Sequence, residues 1–199
     1  MKPTLLFSIL LLLLVGTIPI ANSATSAQPE DPLAPISVFF VRHAETASST
    51  RTNRNPALSP AGLQRAQSLA KLLQSCGVTH LFASEFQRTQ STLAALAKLG
   101  DLKVKIIPAN EMATQLDALR SLPAGAVAVV CGHSNTIPMM VEKMGGEIAS
   151  FKGFAKAQHA LDHDAYHQLF LLTLPASDDA LVKALELHYG TQLQTHHDD

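Results

Sequence analysis

The sequence predicts an α/β protein, a three-layer sandwich in which a mostly parallel central sheet carries helices on both faces. Three observations point there. Short, unbroken apolar runs such as "ISVFFV" and "AVAVVCG" recur where half-exposed strands would alternate apolar with polar. Segments with apolar residues three and four apart lie between those runs. Helix start and stop signals then separate the two kinds of segment in regular alternation, the pattern of a parallel sheet with crossover helices.

The elements follow in order. Ile36 to Val41 is a strand covered on both faces. "LSPAGLQRAQSLAKLLQSCG" opens a helix with Ser59 as N-cap and Pro60 at the first helical position, and Gly77 stops it. Leu63, Ala66, Leu69, Ala70 and Leu73 form one apolar stripe on that helix. His80 to Ser84 is a second strand, followed by a helix from Arg88 to Leu99 that Gly100 closes. Val104 to Ile107 is a weaker third strand, and Thr114 to Leu122 a short helix halted by Pro123. Ala126 to Gly132 is the clearest buried strand. It leads into a helix that Ser134 or Asn135 caps and Gly145-Gly146 ends. "QLFLLTL" and "LVKALELHYG" complete the sheet as two late strands.

The domain organisation reads as a signal peptide over 1–24, a linker over 25–35, one folded domain over 36–190 and a flexible tail over 191–199. Lys2 is a short positive lead, Leu5 to Ile20 an apolar run, and "ANSATSA" offers small residues for cleavage. Ala21 and Ser23, or Thr25 and Ala27, fit the third and first positions before the cut. The expected location is therefore secreted or periplasmic, with no membrane attachment after cleavage; the alternative is an uncleaved membrane anchor. The net charge of −1, from 15 basic and 16 acidic residues, argues against a nucleic-acid partner. An aromatic content of 5% without tryptophan also leaves little for base stacking. Cys76 and Cys131 are expected as two buried, unpaired thiols rather than a disulfide.

Three strands run directly into reactive polar side chains: Val38–Val41 into Arg42-His43, Leu81–Ala83 into Ser84 with Arg88 a turn later, and Val127–Val130 into Gly132-His133. In open α/β sheets ligands bind beyond the carboxyl ends of strands, so these sets converge on one edge. Two arginines and two histidines there suit a dianion. Guanidinium forks match phosphate oxygens, and histidine serves as nucleophile or donor.

These stretches resemble the histidine phosphatase superfamily, also called phosphoglycerate-mutase-like, and its compact branch in particular. "RHAET" is similar to the signature block, and "LSPAG" to the block that opens the first helix. "SEFQRTQST" resembles the Ser-x-x-x-Arg block, with Glu85 in place of the frequent proline, and "VVCGHSNTI" the second-histidine block. The resemblance implies a phosphoric monoester hydrolase that works through a phosphohistidine on His43. Arg42, Arg88 and His133 would hold the transferring oxygens, and Glu111 would give the leaving group its proton. His43 must attack while neutral, which requires an acceptor on its other ring nitrogen. Asn53 or Asn55, with Arg51 and Arg54 in the same loop, and Ser134 are the candidate substrate contacts. Glu45 is expected to orient the loop. No cofactor or metal is called for. The expected partner is a phosphorylated small molecule, an envelope sugar or a phosphoprotein.

Two other readings compete. A phosphoglycerate-mutase-type phosphotransferase is the nearer one, although the chain leaves little room for a substrate cover. A histidine-rich metal-binding protein is the other, because "HALDHDAYH" spaces His159, His163 and His167 four apart, with Asp162 and Asp164 between them. A loop-then-strand course over that stretch would scatter those ligands.

Overall fold

The structure, a computed structural model, describes residues 33–50, 52–148, 160–177 and 180–190. The expected signal segment, most of the expected linker, the tail, Arg51 and His159 lie outside the described residues. Six strands form one sheet in the order β3-β2-β4-β1-β5-β6. They are β1 (Ile36–Arg42), β2 (His80–Ala83), β3 (Val104–Ile106), β4 (Val127–Gly132), β5 (Gln168–Leu174) and β6 (Lys183–His188). The first four run parallel to one another, whereas β5 pairs antiparallel with both β1 and β6. The sheet is therefore mixed, parallel through its centre and antiparallel along one edge.

Four helices cover it: α1 (Pro60–Leu73), α2 (Gln87–Gly100), α3 (Met112–Arg120) and α4 (Thr136–Lys143). The unbroken apolar run of β1 has a simple cause. Phe39 and Val41 pack toward Leu69, Leu73, Leu93 and Leu96 of α1 and α2. Val38 and Phe40 point the opposite way, toward Leu116, Leu119, Ile137 and Met140 of α3 and α4. Strand alternation thus feeds two cores instead of one core and solvent.

The helix grammar holds with local corrections. Ser59 Oγ caps α1 by accepting from the Gly62 amide at 3.1 Å. The helix ends at Leu73, and Gly77 closes the following turn with φ +66°. Leu63, expected on the apolar stripe, is 53% exposed, and the buried face is Gly62, Arg65, Ala66, Leu69, Ala70 and Leu73. Cys76 consequently sits beyond the helix and is exposed, not buried; Cys131 is buried, and both thiols are free. Asn135 precedes α4 but makes no side-chain cap. Thr136 Oγ1 supplies the acceptor instead, to the His133 amide at 2.9 Å. Among the described residues no helix is long and apolar enough to cross a membrane.

Candidate active site

The parallel strands β1, β2 and β4 are hydrogen-bonded neighbours, so their carboxyl ends bring Arg42-His43, Ser84 and Gly132-His133 to one sheet edge. Arg88 reaches them from the first turn of α2. An open cleft of about 700 Å³ lies over this edge, lined by His43, Glu85, Phe86, Arg88, His133 and Ser134 among others. The rings of His43 and His133 lie 5.5 Å apart, edge to face.

The main chain locks His43 in place. Its amide donates to the Gly132 carbonyl at 2.9 Å, which ties the residue to the end of β4. Its Nδ1 lies 2.8 Å from the Ala44 carbonyl oxygen. A carbonyl only accepts, so Nδ1 carries the proton and Nε2 keeps its lone pair. The neighbouring Ala44 amide donates to Thr92 Oγ1 at 2.9 Å. Burial, reinforced by the charges of Arg42 and Arg88, pushes the His43 imidazole down to about 4. It is neutral at neutral pH.

His133 is also neutral, lowered to about 4 by burial and then by Arg88 and Arg42. Arg88 Nη2 lies 3.4 Å from its Nδ1 and can only donate, so Nε2 bears the proton and donates to Ser84 Oγ at 3.0 Å. Ser84 passes its own hydrogen to Thr89 Oγ1 at 2.9 Å, and Thr89 donates to the Phe86 carbonyl at 2.8 Å. The chain of donors runs in one direction and fixes each rotor.

The two guanidiniums are held from opposite sides. Arg42 Nη1 donates to the carbonyls of Asp162 and His163 at 2.8 and 3.0 Å, and its plane lies 4.1 Å from the centre of the Tyr166 ring. Its buried Nε has no partner among the described residues. Arg88 stands over the Phe86 ring at 4.3 Å. Burial lowers both arginines from their ordinary value, although they remain cationic. Among the described residues neither makes an ion pair with a carboxylate.

Glu45 does not line the cleft. Arg65 grips both its oxygens, the shortest contact being 2.6 Å. Burial alone would raise the Glu45 carboxyl, but the Arg65 hydrogen bonds outweigh it and hold it below the ordinary value. The Glu45 carbonyl accepts from the Ser59 amide at 2.9 Å. A Cβ on Gly62 would sit 2.0 Å from that carbonyl oxygen, which explains the glycine in "LSPAG".

The other sequence candidates divide. Ser134 lines the cleft. Asn53 and Asn55 are exposed in the loop before α1, and neither lines the cleft. The Asn55 side chain accepts from the Gln87 amide at 3.0 Å and so secures the start of α2; Asn53 accepts from the Asn55 amide at 3.1 Å. Glu111 is exposed where α3 begins and stays outside the cleft lining, whereas its neighbour Asn110 is part of it. His163 and His167 lie in the loop leading to β5, and among the described residues no group of three metal-ligating side chains converges. Sequence reasoning missed Tyr166, Phe86 and the Asp162 and His163 carbonyls. The aromatic residues carried a weak signal, since each flanks a polar cluster. The carbonyls carried none.

A sheet edge that gathers two histidines and two arginines at the ends of its parallel strands has the residue types that phosphoryl chemistry uses. Residues 38–114 match the family described as the histidine phosphatase superfamily (branch 1). The matched stretch runs from β1 to the start of α3 and takes in Arg42, His43, Glu45 and Arg88. No curated protein matches it in sequence. Its fold is similar to that of the protein histidine phosphatase SixA complexed with tungstate, at 15% identity and a TM-score of 0.58, over 78% of this chain and 97% of that one. A candidate phosphohistidine phosphatase SixA from Agrobacterium tumefaciens aligns at 20% identity and 0.55, over 70% and 92%. A phosphoglycerate mutase from Plasmodium falciparum aligns at 15% and 0.51, over 83% and 97%.

Proposed function

We propose that the protein is an exported, metal-independent phosphatase that hydrolyses a phosphomonoester or phosphohistidine group through a phosphohistidine on His43. One observation carries this reading: His43 is neutral, its Nδ1 proton is held by the Ala44 carbonyl, and it lines one cleft with Arg88 and His133. The His43 Nε2 lone pair forms a bond to phosphorus as the bond to the leaving oxygen or nitrogen breaks. The leaving group takes a proton. Water then attacks the phosphohistidine, releasing phosphate and restoring His43. Arg42 and Arg88 neutralise charge on the transferring oxygens, and His133 positions Arg88 by accepting from it. Glu111, exposed outside the cleft lining, is poorly sited as the proton donor. Solvent in the open cleft takes that role in this proposal.

Export rests on Lys2, the apolar run Leu5 to Ile20 and the small residues after it. The names of the SixA-like neighbours favour including phosphohistidine among the substrates. The deciding experiment mixes the protein with p-nitrophenyl phosphate labelled in its phosphoryl group, quenches it in denaturant at alkaline pH and maps the label. An acid-labile label on His43, absent from His43→Ala together with turnover, is the expected result. Wild type that never labels, with turnover intact in His43→Ala, refutes the mechanism.

A further inference from the structure

With the phosphoryl group held by His43, Arg88 and His133, the leaving group meets the remaining residues of the cleft lining. The charge that meets it there comes from Glu85. This residue follows Ser84, the first residue past β2, and it lines the cleft together with Arg88 and His133. Its Oε2 accepts from the Ala109 amide at 2.8 Å, which pins the carboxylate between the β2 and β3 loops. Oε1 makes no hydrogen bond among the described residues. Arg88 feels this charge, which is the largest of those supporting its cation, but does not pair with it directly. That guanidinium is turned toward Phe86 and His133, and no ion pair links it to Glu85. Among the described residues Glu85 is the one carboxylate in the cleft lining.

Given the phosphatase reading above, on which this rests, we infer that Glu85 is the specificity-determining residue of the cleft. Its carboxylate favours leaving groups that carry a positive charge or a hydrogen-bond donor, and disfavours those that carry a carboxylate or a second phosphate. The phosphoryl group is bound deeper, by the cations. The portion that departs lies within reach of the unpaired Oε1. An ammonium, an imidazole N–H or a hydroxyl finds an acceptor there, while an anionic leaving group meets a like charge in an open site that already screens part of the arginine field.

The test uses the full chain and two probes matched in size, 2-aminoethyl phosphate and phosphoglycolate, with p-nitrophenyl phosphate as the reference for turnover. The readout is the ratio of kcat/KM for the cationic over the anionic probe. A unit charge about 8 Å away in a solvent-rich site acts in opposite directions on the two probes, so removing it lowers the ratio about tenfold. Glu85→Gln, which keeps an acceptor for the Ala109 amide, should show that loss, and Glu85→Lys should carry the ratio further the same way. High salt should narrow the difference between the wild-type and Glu85→Gln ratios. A ratio within twofold of wild type in both variants, while p-nitrophenyl phosphate still turns over through phospho-His43, overturns the role of Glu85 and leaves the phosphatase reading standing. Absence of phospho-His43 in wild type overturns both.

Discussion

A buried, neutral histidine leaves a thermodynamic trace that is independent of catalysis. The ordinary imidazole value is 6.5, and burial beside Arg42 and Arg88 brings His43 to about 4. Between those values the unfolded chain binds a proton that the native protein refuses, so stability rises with pH across that window and falls as the solution is acidified. Integrated from about pH 7 to about pH 5, this single site costs the native state about 2 kcal/mol. His133, shifted to about 4 by the same burial and the same arginines, acts in the same direction. His43→Gln removes the titration while keeping a polar side chain at the position. The measurement is urea unfolding of wild type and His43→Gln at both pH values. The stability difference between the two proteins should move by about 2 kcal/mol in favour of the variant on acidification. Parallel changes with pH in the two proteins would refute a depressed His43, and with it the preorganised neutral nucleophile.

Three further outcomes follow from the packing. Gly62→Ala drives a Cβ to 2.0 Å from the Glu45 carbonyl, and it should cost about 2 to 4 kcal/mol in chemical denaturation; unchanged stability would remove the steric account of "LSPAG". Arg65→Met strands the Glu45 carboxylate, costing about 2 to 4 kcal/mol at neutral pH. Because Arg65 holds that carboxyl below its ordinary value, its contribution should shrink as pH falls through the native carboxyl value, and denaturation curves of the two proteins should converge there. Cys76 should react with a thiol reagent in the native protein without prior reduction, and Cys131 only after unfolding; two unreactive thiols would contradict the exposed position of Cys76.

Much of this was legible in the sequence because the signals are local. Unbroken apolar runs mark strands with cores on both faces, and Ser59-Pro60 marks a helix start whatever lies elsewhere. The site was legible to the extent that it sits on strand ends: Arg42, His43 and His133 follow apolar runs directly. What depended on distant pairing was not. The antiparallel docking of β5 against β1 brings the Asp162 and His163 carbonyls onto Arg42, across 120 residues of chain, and no local pattern encodes that. Loop side chains failed for a related reason. Outside a helix or strand no period says where a side chain points, so spacing does not reveal that Glu85 rather than Glu111 lines the cleft. Cys76 shows the same limit at a helix end, where stopping at Leu73 rather than running on to Gly77 decides whether a thiol is buried.

Arg88 in the cleft lining and the buried Arg42 beside His43 are partly desolvated guanidiniums with no carboxylate ion pair among the described residues, which makes the cleft a receptor for an anion. An anion bound between them offsets the field that depresses His43 and His133, so both imidazoles must move upward on binding. Linkage then requires binding to take up protons. Sulfate is the useful probe, because it remains a dianion throughout the relevant range and does not undergo the reaction. Its affinity should increase as pH falls from neutral toward 5, and calorimetry in buffers of different ionisation heat should register proton uptake. At a hundredfold excess over its dissociation constant it should raise stability by about 2.7 kcal/mol, and Arg88→Ala should remove most of that gain. Sulfate that binds equally well at both pH values, with no proton taken up, would mean that the histidines lie outside the field of the anion, and the cleft over β1 and β4 would then be something other than a phosphoryl site.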